Sequence, residues 1–530
     1  MTERLRPPSL LRDTQFRRLL CAVELSFLGL FIQSAAGGWI MTGLTDSTTM
    51  VALIQTAYAL PTVLLSVLAG ALADTLDRRR MMIWSMLASL LASVLMATLS
   101  WYGGLGPWMI LGLIFMGGTG LAVFTPSWQA SLGDIAPRDR LPEAVSLHNM
   151  GANVMRTIGP SAGGTLVSAV GATLTLAAGA ATFVPALVAL WLWRRPATPA
   201  EPSESVGGAL AAGIRFIAVS PQLAAVLLRV FGFTLAAISV MALLPLTARD
   251  QLGLGASGFG LLFGVFGLGA ILGGLCLPLL RRHWSTETIL RGMILANATA
   301  VALLALAWDL ALAGTANLLA GACWLIMLSL LNSTLQLATP RWIVGRMLSM
   351  FLAAAYLGMA MGSWLWGMVA EGLTTRGALA AAALAMLATL ALARLCPLPA
   401  TDGISLEPAE QKGVGEPAGI DQGSDTGLRL HVAIRHRVAP AQHDAFLHLM
   451  GRRRRHLTRL GARGWNLLRD IRDPTCFSEH FCIRDQNDYR RLLSRRTEET
   501  RILRQEIRAV QQDGTEPQVE LLEEAPYPRG

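Results

Sequence analysis

Charge is scarce in this chain. Only 15% of its 530 residues are Asp, Glu, Lys or Arg, against about 25% in soluble globular chains. Too little polar material remains to cover a water-exposed surface, which excludes an ordinary cytosolic enzyme. Lysine is almost missing: Lys412 stands alone among 44 basic residues, the rest being arginines. A bias of that kind follows from GC-rich coding, so the net charge of +9 is read without a nucleic-acid partner. The six cysteines, at 21, 276, 323, 396, 476 and 482, form no C-x-x-C pair and no Cys/His cluster, which excludes a zinc site or a disulfide framework. No G-x-x-x-x-G-K-[ST] string occurs, so a phosphate-binding loop for ATP is excluded too. No metal and no cofactor are expected.

What is present is apolar length: 53% hydrophobic residues, 52 Gly, 14 Trp and a mean hydropathy of +0.48. A window of about 19 residues predicts twelve membrane spans before residue 396. The first six are Leu19–Met41, Met50–Ala73, Met81–Trp101, Trp108–Gln129, Leu147–Val170 and Ala172–Trp193. The second six are Leu223–Leu246, Gly258–Leu280, Ile289–Ala307, Leu310–Leu331, Leu348–Val369 and Gly377–Leu395. The first span follows Arg4, Arg6, Arg12, Arg17 and Arg18 but is too long for a signal-peptide core, so it reads as an uncleaved helix. Arg78 to Arg80, Arg138, Arg140, Arg194, Arg195, Arg281, Arg282, Arg341 and Arg346 all fall in loops after even-numbered spans. The opposite loops carry little beyond Arg249 and Arg376, which predicts both termini on the cytoplasmic side.

Five regions follow. Residues 1–193 form an N-terminal six-helix bundle, and 194–220 a cytoplasmic linker opening on prolines and continuing as an amphipathic helix. Residues 221–395 form the second six-helix bundle, 396–427 a disordered linker rich in Gly, Pro, Asp and Glu, and 428–530 a soluble domain. In the last region LRLHVAIRHRV alternates like a strand, PAQHDAFLHLMGRRRRHLTRL has helical spacing, and GWNLLRDIRD with TCFSEHFCIRD reads as a hairpin around Asp473-Pro474. A charged amphipathic helix, NDYRRLLSRRTEETRILRQEIRAV, and a closing strand, QVELLEE, complete a β-α-β-β-α-β order. That order resembles dimeric α+β barrel domains of the antibiotic-biosynthesis monooxygenase type, which leaves open a homodimer through residues 428–530. The run Arg452 to Arg455 reads as a solvated face, with lipid headgroups as the alternative.

Candidate functional residues gather in the first half. The loop after span 2 contains Gly70, Asp74, Asp77, Arg78 and Arg79. A small residue lets helix ends approach, and a carboxylate can bond a helix N-terminus or an arginine, which together make a conformational latch. Without the latch, the same loop is a plain positive-inside signal. In span 5, Asn149, Asn153, Arg156 and Pro160 fall within one narrow helical arc. A charge at helix centre costs about 3 kcal/mol on insertion scales, so that arc is expected to face a polar cavity. Gly159, Pro160, Gly163 and Gly164 follow, serving either helix packing or gating. Glu24 is the only carboxylate within span 1. It reads as a proton carrier, as the counter-ion of Arg156 or Arg229, or as a solvated end residue. Gln55, Tyr58, Thr62 and Ser66 share a face of span 2, a cavity wall or interhelical glue. In span 10, Ser329, Asn332 and Gln336 form a polar line that is expected to face Arg156.

The loop from Gly70 to Arg80 resembles the signature loop of the major facilitator superfamily, roughly G-x-x-x-D-R/K-x-G-R-R/K. Gly70, Asp74, Arg78 and Arg79 match, while Thr75 and Asp77 depart from the pattern. Gly-Pro-x-x-Gly-Gly at 159–164 is similar to the antiporter motif of the same superfamily. WIMTGLTDST, FTPSWQASLGDIAPRDRLPEAVSLHNMGANVMRTIGPSAGG and AAGIRFIAVSPQL resemble its enterobactin-exporter-like, transmembrane secretion effector group. The resemblance implies an all-α polytopic protein of twelve helices in two bundles, with the ferredoxin-like α+β domain appended on the cytoplasmic side. It further implies a bacterial inner-membrane exporter of siderophore-like or lipophilic small molecules, driven by proton antiport. The competing reading is a membrane-tethered enzyme or sensor whose activity resides in the tail domain.

Overall fold

The computed structural model describes residues 9–137, 140–193, 214, 216–218, 220–340, 343–396, 398, 429–494, 498–511 and 518–524. Both expected linkers, 194–220 and 396–427, lie almost wholly outside the described residues. The chain divides into two compact units, one of Met1–Val206, Ala225–Ser333 and Leu348–Leu398, the other of Gly207–Ala224, Thr334–Met347 and Pro399–Gly530.

The first stretch of chain forms α1 (Thr14–Leu44), α2 (Thr48–Thr75), α3 (Arg78–Trp101), α4 (Pro107–Ile135), α5 (Leu141–Val170), α6 (Ala172–Ala181) and α7 (Phe183–Leu192). The second forms α8 (Pro221–Leu246), α9 (Ala256–His283), α10 (Thr286–Leu306), α11 (Leu310–Leu337), α12 (Val344–Gly372) and α13 (Thr375–Leu395). Lipid offers no hydrogen bonds to exposed peptide groups, so these apolar runs satisfy their backbones internally as helices. The ends are fixed by side chains: Asp13 accepts from the Gln15 and Phe16 amides, Asp77 from those of Arg79 and Arg80, Ser285 from Thr288 and Thr374 from Gly377. Between α5 and α6 the chain turns at Gly171, whose φ of 85° suits a residue without Cβ.

Among the described residues eleven helices are long and apolar enough to cross a membrane, with α6 and α7 counted as one span. The expected fifth span, α5, is the exception. Its 30 residues suffice in length, but His148, Asn149, Asn153 and Arg156 lower its apolarity. Its place is inside the helix assembly, packed against α1 on one side and α9 on another.

Helix contacts are made through glycine, as expected where apolar lipid leaves close packing as the main source of association. A methyl group on Gly118 would stand 2.8 Å from the Tyr58 carbonyl oxygen, and one on Gly273 2.7 Å from that of Ala322.

The second unit holds a four-stranded antiparallel sheet of β1 (Leu430–Arg437), β2 (Arg463–Arg469), β3 (Cys476–Ile483) and β4 (Gln518–Glu523), in the order β2-β3-β1-β4. With α14 (His443–Leu460), α15 (Gln486–Ser494) and α16 (Glu498–Ala509) this is the expected ferredoxin-like arrangement. The single expected second helix is two, with 495–497 outside the described residues. Alternation along β1 and β3 sends Leu430, Val432, Ile434, Phe477, Phe481 and Ile483 into the core under the helices.

Candidate functional site

The carboxylate of Glu24, ten residues into α1, is buried, and its Oε1 lies 2.7 Å from His148 Nδ1 on α5. Both residues are about 5% exposed or less. Aromatic rings close the site: Phe27 and Trp128 lie 5.9 and 6.0 Å from the His148 imidazole, and Phe124 stacks on Trp128 at 6.1 Å. The α5 backbone comes in close because position 151 is glycine; a methyl there would stand 2.7 Å from the Glu24 carboxyl carbon. Two buried polar atoms of this site have no partner, the second oxygen of Glu24 and the Trp128 indole nitrogen. The pair can exchange a proton along its hydrogen bond, while the free oxygen is a second protonation point shielded from lipid.

Glu24 is therefore not the counter-ion of Arg156 or Arg229. Arg229 bonds Glu287 at 2.7 Å and the carbonyls of Ala393 and Cys396, tying α8 to α10 and to the end of α13. Histidine 148 opened the polar stretch read from the sequence but was given no role there. It lies about 100° around the helix from Asn149, off the arc that drew attention.

The arc itself lies in a wedge. Gly159 and Gly163 press on Phe31 and Ile32 of α1, while Thr157, Ser161 and Gly164 press on Gly267, Gly264 and Gly260 of α9. Asn149, Asn153, Arg156 and Pro160 point between these two packed faces. Pro160 is buried, whereas Arg156, Asn153 and Asn149 are exposed, so the wedge is sealed beyond Arg156 and open on the other side of it. The Arg156 guanidinium lies 5.7 Å from the centre of the Phe31 ring. Tyr58 flanks the same ring at 6.4 Å and interacts with Tyr356 of α12 from the opposite half. Gln55 is half-buried on α2. On α11, Asn332 is half-buried and Gln336 exposed.

At the sealed end the two halves are joined directly. Thr48 donates to the Gly367 carbonyl at 2.9 Å, and Thr56 to that of Ala360 at 2.8 Å. Glu371 accepts from Ser47 and Thr49, Arg249 donates to the Thr42 carbonyl, and Trp39 stacks on Phe259 at 5.8 Å. Glycines 159 and 163 thus serve packing inside the first half, and Gly164 serves the contact between halves. Sequence reading gave Glu371, Arg249 and Tyr356 no part in these contacts, since isolated polar residues carry no periodic signal.

In the loop after α2 the side chains of Gly70 and Asp74 lie outside the described residues. Asp77 caps its own helix α3. Arg78 bonds the Ala130 carbonyl and pairs with Asp134 of α4 at 3.6 Å, and Arg79 donates to the Leu190 and Trp191 carbonyls of α7. Arg78 and Arg79 therefore hold helices of the first half to one another, while Asp77 serves α3 alone.

In the tail domain the arginine run is solvated in part, Arg454 and Arg455 being exposed and Arg453 turned inward. Arg452 pairs with Glu506, Arg453 with Glu479, and Arg454 lies over the Trp465 ring; Arg455 is exposed. Glu479 is fully buried on β3, receiving bonds from Arg453 at 2.8 and 2.9 Å and from the Trp465 indole at 2.8 Å, with His436 at 3.4 Å. Burial alone would raise its carboxyl, but the Arg453 charge and the bonds from His436, Arg453 and Trp465 outweigh that and hold it at about 2.

Comparison with known proteins agrees with this architecture. The family model described as transmembrane secretion effector matches residues 6–526. A staphyloferrin A transporter of Staphylococcus aureus is 28% identical over 145 residues, 27% of this chain and 36% of that protein. The MFS-type transporter YfiS of Bacillus subtilis is 25% identical over 177 residues, 32% of this chain and 41% of that protein. The chain thus spans about two fifths of the length of these relatives. Among solved structures, a bacterial homolog of the human lysosomal transporter Spinster, inward-facing and unoccupied, superposes with a TM-score of 0.57 at 15% identity, over 74% of this chain and 96% of that one. The nucleoside transporter NupG gives 0.56 at 14% identity, over 72% and 99%.

Proposed function

The chain belongs to the transmembrane secretion effector family of major facilitator transporters, and from that premise we propose that it exports a small molecule across the bacterial inner membrane in exchange for protons. It is a multi-pass membrane transporter and not an enzyme; family and structural neighbours are transporters throughout. In our reading both termini and the tail domain are cytoplasmic, because the arginine-rich loops mark the inner face. The sealed end is then the outer one, and the wedge at Arg156 opens to the cytoplasm. The two bundles, residues 1–193 and 221–395, rock about this wedge in alternating access, with 194–220 and 396–427 as linkers and 428–530 as the tail.

One observation carries the proton reading: a carboxylate and an imidazole share a bond inside an aromatic box, with one carboxylate oxygen unpartnered. A buried ionisable pair is costly to keep within a membrane, and such pairs mark proton pathways. Protonation from outside and cargo loading from inside alternate in this reading, Glu24 and His148 holding the proton and Gln55, Tyr58, Asn149, Asn153, Arg156, Asn332 and Gln336 lining the path. Gly70 and Asp74 belong to the inner latch of the outward-facing state. Likeness to a staphyloferrin A transporter supports a siderophore-like cargo, lipophilic metabolites being the other class. A homodimer through the tail is also part of this reading, supported by the open face of its sheet, and mass photometry of the full chain with and without residues 428–530 tests it.

The decisive experiment is proton movement in inside-out vesicles, followed with a pH-sensitive dye while siderophores and lipophilic drugs are added. Cargo-triggered loss of the acid interior is expected in the wild type and is abolished in Glu24→Gln. Uphill transport at the wild-type rate by Glu24→Gln defeats the assignment.

A further inference from the structure

Several arginines of the described helices are neutralised by a carboxylate. Arg229 has Glu287 and backbone carbonyls, Arg249 has Asp250 and the Thr42 carbonyl, and Arg78 has Asp134 and the Ala130 carbonyl. Arg156 has only ring neighbours. Its guanidinium rests over Phe31 beside Tyr58, and among the described residues no carboxylate or carbonyl bonds it. Glu24, the carboxylate of the same pair of helices, is turned to His148 on another face of α5.

This cation sits where a ligand would arrive. It is the last exposed residue of the arc before Pro160 seals the wedge, and Asn153 and Asn149 line the approach below it. A charge at helix centre without a counter-ion is unfavourable in a membrane. A cation–aromatic contact offsets only part of that. The deficit is met when a partner anion enters, because a planar fork of donors binds carboxylate or phosphate in bidentate fashion. Phe31 and Tyr356, both half-buried, offer flat apolar surface for the remainder of such a molecule.

We propose that Arg156 binds the anionic group of the transported molecule, so that the cargo class is an aromatic or otherwise apolar acid bearing a carboxylate or phosphate. The proposal rests on the export reading for the direction of travel only. An anionic lipid headgroup shares this chemistry and is the competing source of the anion.

The test uses the full chain in nanodiscs and three matched probes, 1-naphthoate, 1-naphthyl phosphate and the uncharged 1-naphthamide, with binding read by saturation-transfer NMR. In phosphatidylcholine discs the two anions are expected to bind at least about ten-fold more tightly than the amide, the scale of one charge-assisted pair. Arg156→Gln removes that preference, and Arg156→Lys, which keeps the charge but loses the fork, retains part of it. Equal binding of acid and amide, no binding of either acid, or a preference that survives Arg156→Gln overturns the proposal. Repeating the titration with phosphatidylglycerol in the discs separates the sources: loss of naphthoate binding there assigns the guanidinium to lipid and also overturns it. An anion preference that depends on Arg156, found alongside a proton assay that is silent in the wild type, leaves this site standing and defeats the antiport reading alone.

Discussion

Replacing Gly164 with alanine is expected to shift the balance between the two access states. A methyl group at this position would stand 2.7 Å from the Gly260 nitrogen and 2.8 Å from the Ala256 carbonyl oxygen, with the Gly260 Cα nearer still. These are backbone atoms of α9, so no rotamer change can clear the overlap. α5 and α9 must separate, and that separation unseals the end at which Thr48, Thr56 and Glu371 bridge the halves. Overpacking by one methyl costs about 1–3 kcal/mol, which shifts a two-state equilibrium about 5- to 150-fold. The distance between spin labels at Leu44 and Leu373, both exposed near that end, reports the shift by double electron–electron resonance in a background freed of native cysteines. Gly164→Ala should enlarge the long-distance population, whereas Gly112→Ala, with nothing within 4 Å of the added methyl, should leave it unchanged. Identical distance distributions for Gly164→Ala and wild type, in a protein of unchanged melting temperature, would refute the claim that backbone contact at this position seals the end.

Further outcomes follow from the ion pairs. Glu479 titrates lower in the folded tail than in an unfolded chain, so it stabilises the domain fully above about pH 4.5, and that stability is lost as pH falls through about 2. The difference corresponds to about 3 kcal/mol, and hydrogen exchange of peptides covering β3 in the full chain should accelerate only inside that acid window. Arg453→Met leaves the buried carboxylate without its cation and should destabilise the tail by about 3–5 kcal/mol at neutral pH, read by the same peptides; unchanged protection would show that the pair is not structural. Arg229→Gln removes the bonds to Glu287 and to the last carbonyls of α13, and a lower melting temperature is expected. Glu287→Gln should cost less, because Arg229 keeps its carbonyl partners.

Much of the fold was legible because its causes are one-dimensional. Apolar length marks each membrane helix, and Arg78 to Arg80 with Arg281 and Arg282 mark one end of them. Strand alternation in LHVAIRHR and CFSEHFCI, separated by helical spacing, carried the tail domain. The polar arc Asn149, Asn153, Arg156 was equally readable, since helical geometry alone puts the three on one side of α5. The partner of Glu24 was not. Which of several ionisable groups meets it depends on which face of α5 lies against α1, and that is set by Gly151, Gly159 and Gly163 letting two backbones approach. Asp77 shows the same limit: its loop reads as a latch, yet its carboxylate serves the first amides of α3.

The arginine run 452–455 shows how far composition reaches. As sequence it is a solvated charge cluster; in the folded domain β3 brings Glu479 beneath α14, and three of the four arginines find partners there. Sequence by itself determined the number and kind of elements and the faces on which polar groups lie, because hydropathy and helical or strand period act within one segment. Tertiary structure decided the pairings: Glu24 with His148, Arg229 with Glu287, Gly164 against Gly260, and Arg156 with an aromatic ring alone. Charge pairing and close contact act over a few ångströms, and such distances between residues remote in the chain exist only once the helices have packed.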